Sequence, residues 1–555
     1  MPTVSAHVAA VLARRVEHVF GVMGNGNAHL LDALASEPHA RYVAVRHEAG
    51  AVAAADAHYR VSGRLAAATT TYGAGFTNTL TALAEAQQAR IPLVLVAGDA
   101  PTTGPRSWDV DQTASAAALG VRTLQVGADD AGATTEAALD LALRERCPVV
   151  LAIPYDLASQ EVGDLPAPSR PALLEPVPPD PQGVEGVAEL LARSERPLLL
   201  LGRGAWLAGA GEAVGELAER LGALTASTAL ARSLAPDPRF DLGVTGGFGA
   251  EAAMGTVADA DLVLAIGASL SPFTMRFGAL LGEGARLVQI DVAGSPTHTR
   301  VDRYLQGDAR LATLGLVDAL RRRGAASTRW RESVDVPALL VREQGEALAP
   351  DGRLDPRSLA AHLAPLLPAD RVVVSDGGHF IGWANMYWPI AAPERMVMVG
   401  TAYQTIGLGW PCVVGAAAAG PRSTVVLTTG DGGGLMALAD LESAVRVAGG
   451  HGMAVVWNDA AYGAEVNLYG LQGLDQTAMR IPEVDVAALA AAVGAEGHVV
   501  RTLDDLDVLR RWTDEDPAQR RFLVLDCRIS VDVISPHQRE VIAANPPRAT
   551  AGVTA

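Results

Sequence analysis

The sequence predicts an α/β protein of three doubly wound, mostly parallel sheets, and three observations carry that expectation. A chain of 555 residues is too long for one hydrophobic core and divides by length into roughly three or four domains. Short apolar runs of strand length alternate along it with Ala-rich helical stretches, the pattern of parallel strands buried on both faces. Two segments rich in proline, charge and polar residues cut this alternation into three blocks.

The opening MPTVSAHVAAVLARRVEHVFGV has charges inside its apolar pattern, so it reads as an amphipathic helix running into a strand, without the apolar core of a signal peptide. In the first block, residues 1–165, the runs YVAVRHE, AAATTT, IPLVLVAGD and CPVVLAIP read as buried strands. The segment VGDLPAPSRPALLEPVPPDPQG, residues 162–183, cannot carry a helix or central strand through its prolines and reads as a semi-rigid linker. The second block, 185–325, has strands at RPLLLLGRGA, ADLVLAIGAS and ARLVQIDV. A second linker covers about 323–355. The third block, 350–540, has strands at DRVVVSDGG, RMVMVG, STVVLTTGDGG, GMAVVWNDA and RFLVLDCRIS. Disorder is expected only at the end, ANPPRATAGVTA.

Composition excludes several partners. A net charge of -18 offers no basic stripe to displace phosphate counterions, so nucleic acid is not expected. No uninterrupted apolar run reaches the ~18 residues that a membrane helix needs. Cys147, Cys412 and Cys527 lie far apart, each in or beside an apolar run, and read as buried free thiols of a cytoplasmic protein. Small molecules remain as substrates.

The chemistry is concentrated in TTGDGGGLMALADLESAVRVAGGHGMAVVWNDAAYG. Strand, glycine turn and helix follow one another in STVVLTTGDGGGLMALADLESAV, so the amides of Gly432 and Gly433 can approach an anion. Asp431 adds a carboxylate in that turn. The next strand ends in Asn458 and Asp459, and adjacent parallel strands bring their carboxyl ends into one crevice. Two oxygen ligands beside a diphosphate suit magnesium, which takes hard oxygen donors in octahedral geometry.

These motifs resemble those of the thiamine diphosphate-dependent enzymes of the acetolactate synthase, 2-oxoacid decarboxylase and benzoylformate decarboxylase group, and the resemblance extends over nearly the whole chain. It implies pyrimidine-binding, central and diphosphate-binding domains in that order. It implies that Asp431, Asp459 and the main-chain oxygen of Ala461 hold Mg2+, with Gly430, Gly432, Gly433, Tyr462 and Gly463 around the diphosphate. In VAVRHEAGA it assigns Glu48, at the end of a strand, as the carboxyl that stabilises the imino tautomer of the aminopyrimidine. His47 beside it reads as structural. YGAGFTNTL places Gly73, Gly75 and Asn78 on the pocket wall. GTAYQTIGLGWP resembles the loop that bends the cofactor, with Ile406 as its apolar prop and the Gln404 carbonyl as acceptor. SDGGHFIGW brings the backbone of His379 and Phe380 to the cofactor, and the His379 side chain stands among the candidate catalytic groups, its reach to the substrate left open.

The substrate side is less specific. Glu465, three residues beyond Tyr462, resembles a proton-relay glutamate of pyruvate-type decarboxylases. Those enzymes carry an aspartate and paired histidines where this chain has Asn25 and no His-His pair. Asn25 cannot deliver a proton, so a long-lived enamine would be ligated to a second carbonyl. Gln112 resembles a glutamine that acetolactate synthases present to the neighbouring subunit's site. Leu468 stands where those enzymes have a tryptophan, leaving the acceptor open. GASLSPFTMRFG resembles both flavin-holding and CoA-nucleotide-holding strand ends, and its Arg276 could neutralise a phosphate; FAD and a CoA or adenine nucleotide stay open without being predicted. The resulting expectation is decarboxylation of a small 2-oxo acid with carboligation. The alternatives are plain decarboxylation, 2-hydroxyacyl-CoA cleavage, and a catalytically silent regulatory relative. Because Glu48 and the diphosphate site fall in different domains, the resemblance implies a site shared between subunits, a homodimer at least and a homotetramer by expectation.

Overall fold

The computed structural model describes residues 1–167 and 175–546, so the middle of the first linker and the tail expected to be disordered from residue 547 on lie outside the described residues. The first sheet contains β1 (His18–Gly21), β2 (Arg41–Ala44), β3 (Ala67–Thr70), β4 (Leu93–Asp99), β5 (Arg122–Gln125) and β6 (Pro148–Pro154). The second contains β7 (Pro197–Leu201), β8 (Leu224–Ser227), β9 (Asp241–Val244), β10 (Leu262–Ile266), β11 (Arg286–Asp291) and β12 (Arg303–Gln306). The third contains β13 (Val372–Ser375), β14 (Met396–Met398), β15 (Val425–Gly430), β16 (Gly452–Asn458), β17 (Glu496–Val500) and β18 (Leu523–Arg528). Every pairing between these strands is parallel.

The first and third sheets share one order, β2-β1-β3-β4-β6-β5 and β14-β13-β15-β16-β18-β17. In both, the order reverses beside the first strand, which opens a crevice at the carboxyl ends of β1 and β3 and of β13 and β15. The central sheet runs β12-β11-β10-β7-β8-β9 and reverses between β7 and β10. The strands read from sequence include most of the interior ones, together with β2 and β14 at sheet edges. β4, β6, β10, β15, β16 and β18 are buried along their length, as apolar runs on both faces require.

The helix Pro181–Ala192 starts inside the segment read as linker, because Asp180 caps it and Pro181 fits a first helical turn. The first and third domains meet where the helix Glu48–Ser62 lies along the helix Gly409–Ala419. A Cβ on Gly415 would stand 1.9 Å from the Ala54 carbonyl oxygen, so only glycine allows this approach. Cys412 and Cys527 are buried thiols and Cys147 is half-buried. Among the described residues no helix is long and apolar enough to cross a membrane.

Candidate active site

The crevice of the third domain is assembled from four chain segments. β13 leads into Asp376–Phe380, β14 into the loop 400–408, β15 into Gly430–Gly433, and β16 into Asn458–Gly463. The register pairs Gly430 with Trp457, so Asp431 and Asp459 leave neighbouring strand ends, near enough for their charges to interact. The glycines are there because other groups take their side-chain space. A Cβ on Gly430 would be 3.0 Å from the Phe380 ring, on Gly432 2.9 Å from Tyr462, and on Gly433 3.0 Å from Asp376 Oδ2. On Gly463 it would be 2.4 Å from His379 Cε1 and 2.5 Å from Asp459 Oδ2, filling the space between the two. Ala460 turns the chain after β16 with φ 55°, a strained conformation for a non-glycine residue. Ala461 follows, with its N–H donating to Asp459 Oδ1 at 3.2 Å. Asn458 faces away, its amide donating to Val484 O and Asp526 Oδ1.

Asp431 and Asp459 are 3% and 4% exposed. Burial first, and the neighbouring Asp459 charge second, push the Asp431 carboxyl up to about 7. His379 Nε2 lies 3.0 Å from Asp459 Oδ2, an ion-pair distance, and the buried Oδ2 has no other donor. Burial alone would depress the His379 imidazole. The Asp459 carboxylate beside it, by charge and contact, and then the Asp431 and Glu465 charges outweigh it and hold it above its ordinary value. Two adjoining buried carboxylates, one with an orphaned oxygen, fit a hard dication.

In the first domain the structure corrects the placement of Glu48. β2 ends at Ala44, and Glu48 is the first residue of the helix Glu48–Ser62, capped by the His47 side chain, which accepts the Ala49 N–H. Asn78 Nδ2 donates to Glu48 Oε2 at 2.9 Å. Gly75 borders Oε1, where a Cβ would come within 3.3 Å. Gly73 takes φ 62°, which glycine alone adopts without strain. Gln112 is also corrected. It is 3% exposed, its Oε1 accepts the Gly73 N–H at 2.7 Å, and its Nε2 donates to Gly98 O and Asp99 Oδ1. With its amide fully used, it locks the Gly73 turn and has no group free for a substrate. Asn25 is exposed and donates to Tyr72 OH at 2.9 Å.

Glu465 is exposed and Leu468 half-buried on the short helix Gly463–Leu468. Gln404 is exposed with φ 58°, and Ile406 is half-buried beside Gly377. Arg276 does not present a free guanidinium. Its Nε bonds Glu540 and its Nη2 bonds Glu251, so two carboxylates already balance it and would repel a phosphate.

Two carboxylates that the sequence did not single out organise the site. Asp376 is buried. Its Oδ1 accepts the N–H groups of Gly377, Gly407 and Leu408, and Thr429 donates to its Oδ2, so one side chain ties together three of the four segments. Asp440 lies just beyond the helix Asp431–Met436. Its Oδ1 accepts the Arg46 N–H at 2.7 Å and the Ser443 hydroxyl at 2.9 Å, seating the chain immediately before Glu48. Neither has a signal readable in sequence, because their partners are backbone groups far along the chain.

Three models of thiamine pyrophosphate enzymes match this chain: the N-terminal TPP-binding domain at residues 2–119, the central domain at 184–316, and the C-terminal TPP-binding domain at 376–527. A sulfoacetaldehyde acetyltransferase of Castellaniella defragrans is 28% identical over 97% of this chain and 95% of that protein. An acetolactate synthase of Mycobacterium avium is 27% identical over 92% and 85%. The crystal structure of benzoylformate decarboxylase from Polynucleobacter necessarius superposes with a TM-score of 0.79 at 22% identity, covering 96% of this chain and 99% of that one.

Proposed function

The chain belongs to the thiamine pyrophosphate enzyme family, and within it we propose that this enzyme decarboxylates a small 2-oxo acid and transfers the remaining fragment to a second carbonyl compound, with Mg2+ as the anchoring cation. Bound thiamine diphosphate supplies the carbon nucleophile and the electron sink for such a reaction. Asp431, Asp459 and the Ala461 main chain would hold the cation, and the N–H groups of Gly432 and Gly433 would meet the diphosphate. Glu48, with Oε2 taken by Asn78 and Oε1 open beside Gly75, would hold a proton against the pyrimidine ring.

The observation that carries transfer over simple release is the Asn25–Tyr72 pair, an exposed amide bonded to a phenol where an acid would be needed to protonate the fragment promptly. The names of two relatives, an acetyltransferase and a synthase, agree with transfer. Plain decarboxylation is the second reading, favoured by Glu465, whose charge reaches His379. Arg276, paired with Glu251 and Glu540, lends no support to a nucleotide or CoA group in the central domain.

We also place each site between two subunits, in a homodimer or a tetramer of such dimers. The test for the reaction is incubation of the purified protein with thiamine diphosphate, Mg2+ and pyruvate, following carbon dioxide and the organic product. Acetolactate or another acyloin supports transfer, free acetaldehyde supports the second reading, and no carbon dioxide from pyruvate or bulkier 2-oxo acids defeats both. Mixing Glu48→Gln with Asp431→Asn subunits tests the shared site: activity regained on mixing supports it, and two inert variants that stay inert after exchanging subunits oppose it.

A further inference from the structure

Glu85 lies on the helix Leu80–Gln88 of the first domain and is 1% exposed. Its Oε2 accepts the Tyr403 N–H at 2.7 Å and its Oε1 the Ala402 N–H at 3.4 Å, both from the third-domain loop that carries Gln404 and Ile406. Arg60 Nη2 stands 3.5 Å from Oε1, and Arg60 is itself paired with Asp56 on the same helix. Burial pushes the Glu85 carboxyl above its ordinary range, while Arg60 and the two N–H groups draw it back.

The loop it grips has little else to define it. Gly400, Gln404 and Gly407 all adopt positive φ, of 90°, 58° and 82°. One turn bond closes it, from the Thr405 N–H to Gly400 O at 2.9 Å. Gln404 pays the steric cost of a left-handed non-glycine residue, a conformation that persists only where the surroundings over-determine it. Asp376 fixes the far end through Gly407 and Leu408. Glu85 fixes the near end, two residues before Gln404.

We propose that Glu85 is a positioning residue: a buried carboxylate of the first domain that sets the conformation of the cofactor-facing loop of the third domain in the same chain. This rests on the reading of the third-domain crevice as a thiamine diphosphate site. It extends that reading, because the domain that presents Glu48 then also shapes the crevice of its own chain.

The test compares the parent with Glu85→Gln, which keeps the size and removes the charge, and with Glu85→Asp, which keeps the charge and withdraws it by one methylene. Two readouts are taken on the full chain. The first is amide hydrogen exchange of residues 400–407 without cofactor, which does not depend on the functional reading. The second is deuterium exchange at C2 of thiamine diphosphate bound with Mg2+, under saturating cofactor. Glu85→Gln should speed exchange of the Ala402 and Tyr403 amides by about ten-fold or more, the loss of a charge-assisted hydrogen bond. It should slow C2 exchange by a similar factor at a nearly unchanged melting temperature, with Glu85→Asp recovering part of both. Parent-like values of both exchanges in Glu85→Gln would overturn the proposal. Faster amide exchange with unchanged C2 exchange would also overturn it, reducing Glu85 to a tie between domains. If Glu85→Gln does not fold, Glu85→Asp decides by the same two readouts. A parent that binds no thiamine diphosphate would sink the functional reading instead, a result separate from the amide exchange.

Discussion

Gly50→Ala sets two well-known effects against each other at the base of the helix that presents Glu48. Inside a helix, alanine is favoured over glycine by about 1 kcal/mol. Here the new Cβ would stand 2.1 Å from Asp440 Oδ2, 3.0 Å from its Cγ and 3.2 Å from Pro411 Cβ. The first of these is about 1 Å or more inside ordinary contact. Asp440 cannot easily swing aside, because it is buried and its Oδ1 is held by the Arg46 N–H and the Ser443 hydroxyl. The overlap therefore costs about 1–3 kcal/mol, which offsets the propensity gain and leaves a small net destabilisation. The larger effect falls on geometry. The helix relieves the overlap by moving away from the third domain, and Glu48 lies only two residues from the point of contact. A shift of about 1 Å in a reacting group costs on the order of a hundred-fold in rate. The assay is turnover and thermal denaturation of Gly50→Ala beside Gly255→Ala, a helical glycine with nothing within 4 Å of its Cβ position. Gly255→Ala should gain about 1 kcal/mol with unchanged turnover. Gly50→Ala should lose about a hundred-fold in turnover with little change in melting temperature. A Gly50→Ala protein that is more stable than the parent and turns over at the parental rate would refute the claim that Asp440 seats Glu48.

Three further outcomes follow from the same geometry. Gly463→Ala, whose Cβ would fall between His379 and Asp459, should abolish the rise in melting temperature that Mg2+ with thiamine diphosphate gives the parent; an undiminished rise would mean that the cation sits elsewhere. His58 and His537 are each lowered by burial to about 4. The unfolded chain binds protons at these histidines near pH 6.5, while the native state keeps them neutral until about 4. Stability is thus fully present above about pH 6.5 and is lost as pH falls towards 4, by about 3 kcal/mol for each. Urea unfolding at pH 7.5 and 5 should show about 2 kcal/mol of this loss for each histidine, and His58→Phe should remove about half of the total; identical pH dependence in parent and variant would contradict the assignment. Asn25→Asp places a titratable acid beside Tyr72 and should raise the share of aldehyde among the products, read by product analysis at matched carbon dioxide release; an unchanged ratio would mean that the group at this position does not control the fate of the fragment.

The parts of this protein legible in its sequence are those whose cause is local. The interior strands announce themselves because burial on both faces demands unbroken apolar runs, as in VVLTTG and GMAVVWN. The strands not read, β5, β8, β9, β12 and β17, include half-exposed edge strands such as RTLQ and RYLQ and short mixed stretches, whose strand character comes from a neighbour's hydrogen bonds. Asp431 and Asp459 could be read because a glycine turn and a strand end fix where a side chain will point. Gln112 as a substrate group and the open question at Arg276 could not be resolved from sequence for the opposite reason. Whether a polar side chain is free depends on partners distant in sequence, here Gly73 and Asp99 for one, Glu251 and Glu540 for the other. The same blindness applies to histidine pairing: the sequence has no adjacent pair, yet folding brings His18 Nδ1 to 3.1 Å from His58 Nε2, in the core of the first domain and outside the crevice.

The most consequential unread residues are three carboxylates at the site that accept backbone N–H groups across large stretches of chain. Asp376 gathers three turns of one crevice, Asp440 reaches from the third domain to the residue before His47, and Glu85 reaches from the first domain to the loop before Gln404. Each is buried, and burial raises the pKa of each, so each opposes its own ionisation and is tolerable only because several N–H or hydroxyl donors converge on it. Such a group punishes displacement of its donors more steeply than an apolar contact of equal area, since a lost donor leaves a buried charge unpaired. Two of the three cross the boundary between the first and third domains in opposite directions. The position of Glu48 and the shape of the Gln404 loop are thereby tied to one rigid contact, and a substitution on either side of that boundary should register at both.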